Sequence, residues 1–95
     1  MNHELELFAL MGIDGNTQSV LGKRVTIPGF EEFEFFVWKK KEGSRKRWAV
    51  TEIKTGGRIG PTKSSEKAAI NSARRILLSK TKQIIANEIN RYKLK

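Results

Sequence analysis

The chain has no cysteine, a single histidine, a single aspartate and two prolines among its 95 residues. Without cysteine there are no disulfides, thiolate metal sites, iron–sulfur clusters or thiol nucleophiles. The one histidine, His3, sits near the N-terminus and reads as a solvated side chain, not as a ligand or general base. The one aspartate, Asp14, stands before Gly15 in turn chemistry. The constellations that nucleophilic, acid–base or metal catalysis require are therefore missing, and a non-enzymatic protein without cofactor or metal is expected. A secretory leader and an apolar run long enough to span a bilayer are also absent from the sequence, so the expected location is the cytoplasm, away from membranes. With 38% hydrophobic residues, the chain can bury one modest core as a single domain, 1–95.

What the sequence has in excess is positive charge, with nineteen Lys and Arg against ten acids and a formal net charge of +9. The excess is lopsided. Residues 1–38 carry two bases and six acids, a net of −4, whereas residues 39–95 carry seventeen bases and four acids, a net of +13. A basic surface of that size favours polyanionic partners, nucleic acid first, then acidic proteins or anionic lipid.

The basic half begins inside a stretch around which the chain is organised, Phe33 to Ile53. Two runs rich in aromatic and β-branched residues, 33–38 and 48–53, flank Lys39-Lys40-Lys41-Glu42-Gly43-Ser44-Arg45-Lys46-Arg47. The flanks read as strands and Gly43-Ser44 as the turn of a hairpin. Alternation puts Phe33, Phe35 and Val37 on one side and Glu34, Phe36 and Trp38 on the other. Pairing Val37 with Trp48 and Phe35 with Val50 gathers Phe33, Phe35, Val37, Trp48 and Val50 into an expected core face. A one-residue slip would send the second arm to the opposite side.

Before the hairpin, residues 3–11 alternate like a strand over Glu4–Leu7. Their Leu, Ala, Met and Glu content favours a short helix ended by Gly12, and that helix is the expectation. A strand is expected over 20–27, stopped by Pro28-Gly29. After the hairpin, Thr55–Arg58 reads as a turn and Arg58–Gly60 as a short strand. Ser64 or Ser65 then caps a helix with Glu66 in its first turn. Helical patterning continues to about Tyr92. The apolar stripe of Ala69, Ile70, Ala73, Ile76 and Leu77 does not line up with that of Leu78, Ile85, Ile89 and Tyr92. The polar run Ser79–Gln83 between them predicts a bend or break, or a distal half that packs on something else. A homodimer contact through Leu78, Ile85, Ile89 and Tyr92 is one such arrangement; packing within the chain is the other. The expected fold is α+β: a short N-terminal helix, a three- to four-stranded antiparallel sheet, and a long C-terminal helix packed on one face.

Three features are candidate binding sites. A basic two-stranded ribbon fits a DNA major groove, with Lys39, Lys40, Lys41, Arg45, Lys46 and Arg47 on phosphates, although basic tips also keep sheet edges soluble. Phe36 and Trp38, opposite the expected core face, could stack bases of a single strand unless residues 4–11 cover them. The junction Gly56–Ser65, with Arg58 and Lys63 around a helix start, could hold one phosphate. Its superficial likeness to a Walker A loop fails because Thr62 stands where glycine should precede Lys63-Ser64.

The strand, glycine turn and Pro61-Thr62-Lys63-Ser64-Ser65-Glu66-Lys67-Ala68-Ala69 helix start resemble the end of a double-stranded-RNA-binding domain. That family implies a helix, three strands and a helix, though its adjacent lysines at the helix start and its Gly-Pro-His loop are not present here. The run Trp48–Gly56 followed by the alanine-rich helix also resembles small phage and mobile-element proteins. That likeness implies either nucleic-acid binding or, alternatively, an inhibitor or adaptor that binds a host nucleic-acid-handling protein as an anti-defence factor.

Overall fold

The computed structural model describes residues 5–12 and 14–94, so His3 lies outside the described residues. Four strands come first: β1 (Glu6–Met11), β2 (Thr17–Val25), β3 (Phe35–Glu42) and β4 (Arg45–Glu52). Two helices follow, α1 (Glu66–Leu78) and α2 (Lys82–Tyr92). The strands form one antiparallel sheet in the order β1-β2-β3-β4. The fold is α+β, but the order is strands then helices, and two of the expected elements are corrected.

The first correction is at the N-terminus. Residues 6–11 form a strand, not a helix, because a non-local contact outweighs helix propensity. Phe8 stacks face to face on Phe36 of β3, with ring centroids 4.2 Å apart and planes within 9°. Helix propensity is a weak prior of less than about 1 kcal/mol per residue, and burying an aromatic ring exceeds it.

β1 and β3 are not neighbours in the sheet, and their rings meet because the sheet curls and because β2 carries a glycine between them. Gly22 pairs with Glu6 on one side and Trp38 on the other. A Cβ on Gly22 would lie 2.8 Å from a Phe36 ring carbon and 2.8 Å from the Val37 carbonyl oxygen. The curl brings the end of β1 against the turn after β4, where Met11 N–H donates to the Gly56 carbonyl at 3.0 Å. Gly56 has φ 70°, and a side chain there would strike the Ala9 carbonyl at 2.9 Å.

The hairpin register differs from the expected one by two residues. Val37 pairs with Val50, Phe35 with Glu52 and Lys39 with Trp48. The expected pairing would centre the turn on Glu42-Gly43, whereas the observed one centres it on Gly43-Ser44. Gly43 has φ 60°, the conformation that glycine supplies at the first central position of a two-residue hairpin turn. A two-residue shift preserves the faces. Phe35, Val37 and Val50 consequently join Ile27, Phe30, Ala69, Ala73, Leu77 and Ile85 in the main core.

The second correction concerns the C-terminal helix, which is two helices. α1 ends at Ser79, whose N–H donates to the Ile76 carbonyl. Thr81 then starts α2 by accepting the Ile84 N–H at 3.2 Å. α1 lies on the sheet through Ala69, Ala73 and Leu77, one i, i+4, i+8 row whose small residues let helix and strands approach closely. The break swings Ile85 into the same core, with Ile89 packed against it, and Leu94 N–H anchors the tail on the Lys54 carbonyl at 2.7 Å. Among the described residues, no helix is long and apolar enough to cross a membrane.

Candidate nucleic-acid interface

The root of the β3–β4 hairpin is the most buried part of the sheet. Phe35, Phe36, Val37, Ala49, Val50 and Thr51 are all nearly or completely inaccessible. Glu52 is buried too, and its carboxylate accepts the Lys54 and Thr55 N–H groups at 2.8 Å each. These bonds tie off the turn that follows β4.

The tip is built differently. β2 pairs with β3 no farther out than Trp38, and the 58–63 segment bridges β4 no farther out than Trp48. Residues 40–47 therefore form a ribbon only two strands wide, joined to the 58–63 segment at its base through the Arg47 side chain. Two cross-strand pairs there join like charges, Lys40 with Arg47 and Lys41 with Lys46. Such pairs destabilise a ladder. Among the described side chains none of these bases has an acid partner, whereas Lys23, Arg24, Lys80 and Lys82 all do. Lys39 lies over the Trp48 ring at 5.0 Å, a cation–π contact that leaves its ammonium exposed.

Alternation divides the tip evenly. Lys39, Lys41 and Lys46 lie on the helix side with Val37 and Trp48, and Lys40, Arg45 and Arg47 lie on the other side with Trp38. Lys63 belongs with this group. Its backbone exchanges two hydrogen bonds with Trp48, at 2.7 and 2.9 Å, which places it at the base of the ribbon. Arg47 reinforces the junction by donating to the Thr62 carbonyl at 2.8 Å.

Arg58 does not belong with it. It bridges to Thr51, at the buried end of β4, about 20 Å from Arg45 at roughly 3.3 Å per residue. The helix start is also less open than the junction motif implies. Ser65 Oγ accepts the Ala68 N–H at 3.1 Å, and Glu66, in the first turn, is ion-paired with Lys23 at 2.7 Å. The chain's own acid already sits where an anion would be held.

The stacking pair splits. Phe36 has no open ring face, being fully buried with Phe8 laid over it, which corrects its expected role on a binding surface. Trp38 is half-buried, and its indole N–H donates to Thr51 Oγ1 at 3.2 Å. The dimer set splits as well. Ile85 is 6% exposed within its own chain and packs in the core, Ile89 is half-buried beside it, and Leu78 and Tyr92 are 57% and 60% exposed.

A feature that sequence reading did not find is a cavity of about 650 Å³ between the 57–60 loop and the two helices. It is lined chiefly by Ile59, Ile76, Leu77, Ile85, Ile89 and Tyr92. Its lining is scattered from β1 to α2, so no local motif signals it. Among the described residues, no cluster of three or more metal-ligating side chains occurs. Comparison with protein-family models, with curated proteins and with solved structures found no match.

Proposed function

We propose that the protein is a small, non-enzymatic nucleic-acid-binding protein that grips the phosphate backbone with its β3–β4 tip. The observation that carries this reading is the concentration of Lys39, Lys40, Lys41, Arg45, Lys46 and Arg47 on a ribbon that places like charges directly opposite at two rungs, Lys40 with Arg47 and Lys41 with Lys46, and sets only Arg45 opposite an acid, Glu42. The like-charge pairs oppose the ladder that carries them, and a polyanion would neutralise them. Lys63 extends the footprint at the base of the ribbon, while Arg58 lies apart from it. The test is a mobility-shift or filter-binding series over about 50 to 200 mM salt, across which affinity should fall steeply. Affinity that is flat with salt would refute the proposal.

A second reading is favoured by the apolar cavity and by exposed Leu78 and Tyr92. In it the protein is a phage-type inhibitor or adaptor that docks on a host nucleic-acid-handling protein, or a homodimer through Leu78 and Tyr92. A Leu78→Glu/Tyr92→Glu variant that keeps nucleic-acid binding but changes sedimentation, or loses a defined protein partner, would support this reading.

A further inference from the structure

We infer that the ligand of the β3–β4 ribbon is duplex DNA of B form, entered through its major groove. This inference rests on the nucleic-acid reading above and adds the class of nucleic acid.

The first reason is the two-sidedness of the charge. A single strand lying on a sheet meets one face and is held by stacking on open aromatic rings. Here Lys39, Lys41 and Lys46 project from one face of the ribbon, and Lys40 and Arg45 from the other, where half-buried Arg47 is also bonded to Thr62. The aromatic surface that a single strand would need is largely closed, since Phe36 is covered by Phe8 and Trp38 is half-buried and bonded to Thr51. Charge on both faces of a thin blade suits a slot whose two walls are both anionic. A duplex groove, walled by two phosphate backbones, is such a slot.

The second reason is dimensional. The free ribbon runs from Lys40 to Glu42 and back from Arg45 to Arg47, because Trp48 is already bridged to Lys63. At roughly 3.3 Å per residue it projects about 10 Å beyond the Lys39–Trp48 rung, the last with a third partner. With side chains on both faces, a ribbon is about 10 Å thick, the spacing at which sheets pack. The B-DNA major groove is roughly 12 Å wide and 8.5 Å deep, so the blade fits its width and its tip can reach the floor. The minor groove, about 6 Å wide, is too narrow, and the major groove of A-form RNA is narrow and deep enough to exclude side chains. The absence of a third strand beside residues 40–47 matters in the same way, because a wider sheet would strike the groove walls. Docked so, the bases on each face meet one backbone, and the apex, Gly43-Ser44 with Arg45, lies nearest the base edges.

The test compares one fluorescent DNA duplex, its single strand and the RNA duplex of the same sequence, in direct titration and in competition at matched salt. Duplex DNA should bind at least about tenfold more tightly than either. Equal or tighter binding of single-stranded DNA or duplex RNA overturns the B-form duplex assignment while leaving the nucleic-acid reading intact. No salt-sensitive binding of any of the three overturns both. Two double variants then probe the faces, Lys41→Glu/Lys46→Glu on one side and Lys40→Glu/Arg47→Glu on the other. Each should weaken duplex binding by about tenfold or more and lower the salt slope by about two, with the urea midpoint measured alongside as the check on folding. Loss from one face only means a one-sided ligand and overturns the groove geometry. Protection of guanine N7, which faces the major groove, from methylation by dimethyl sulfate should accompany binding. Binding that leaves every N7 reactive places the ribbon outside that groove and overturns the assignment.

Discussion

The root and the tip of the β3–β4 hairpin share two strands and one hydrogen-bond ladder, yet they are chemically opposite. At the root, Phe36 is stacked under Phe8, Val37 meets Val50, and the carboxylate of Glu52 is bonded to two backbone N–H groups. At the tip, Lys40 faces Arg47 and Lys41 faces Lys46, with no third strand beside them. Cross-strand pairs contribute in proportion to how well they pack or attract. The root is therefore held by burial, whereas the tip is carried on the root as an extension that stores repulsion. On the proposed function, an anionic partner would relieve that repulsion.

The contrast breaks most severely at the root. Phe36→Ala removes a fully buried ring and its stacking partner's contact, and should cost about 3–5 kcal/mol by urea denaturation, enough to unfold much of a small domain. Gly22→Ala places a Cβ 2.8 Å from the Phe36 ring and from the Val37 carbonyl, so it should cost about 1–3 kcal/mol through overpacking. Both variants should lose nucleic-acid binding only to the extent that they unfold, which a circular-dichroism melt recorded beside the binding curve can establish.

The tip should show the reverse. Lys40→Glu turns a like-charge cross-strand pair into an opposite-charge pair with Arg47, and should raise stability by about 0.2–1 kcal/mol while weakening nucleic-acid binding. Opposite signs from one substitution would sharpen the contrast; a loss of both would show that the tip supports the fold. The smallest expected effect lies below pH 4.5. Lys82 donates a hydrogen bond to Glu32, which leads into β3, and this holds the Glu32 carboxyl below its ordinary value of 4.5. A lowered folded-state pKa means a contribution present above the unfolded value and lost as pH falls through the folded one. Acid titration of the urea midpoint should therefore show a slight fall in that window, reduced in Glu32→Gln.

Some of this was legible in the chain, and the reason is locality. The hairpin, its core face, its basic tip and the Ala69–Ala73–Leu77 stripe follow from periods of two and 3.6, which need no knowledge of what lies across from them. The error in register was harmless because it was even: two residues move the turn by one position and return every side chain to its own face. The N-terminal strand was not legible, since Leu7, Ala9 and Leu10 favour a helix and the deciding contact, Phe8 on Phe36, spans 28 positions. The polar run Ser79–Gln83 marks the place of the break, yet from the sequence a bend or a change of packing partner fits it equally well and a single long helix is the expectation. The run could not say which way α2 would turn, so Ile85 and Ile89 were grouped with Leu78 and Tyr92, from which the structure separates them.

By itself the sequence determined where charge and alternation lie: an acidic first half, a basic second half, and a hairpin that changes from aromatic to cationic along its length. These are properties of composition and of a fixed backbone period, present in any conformation that keeps the two strands. Only the tertiary structure decided which of those side chains remain available. The curl of the sheet over Gly22 covered Phe36, the 58–63 segment drew Lys63 to the ribbon and left Arg58 behind, and the end of pairing at Trp38 and Trp48 left residues 40–47 without a third strand. Each outcome depends on contacts between residues distant in the chain, whose cost in loop entropy and gain in burial are settled only when the whole fold closes.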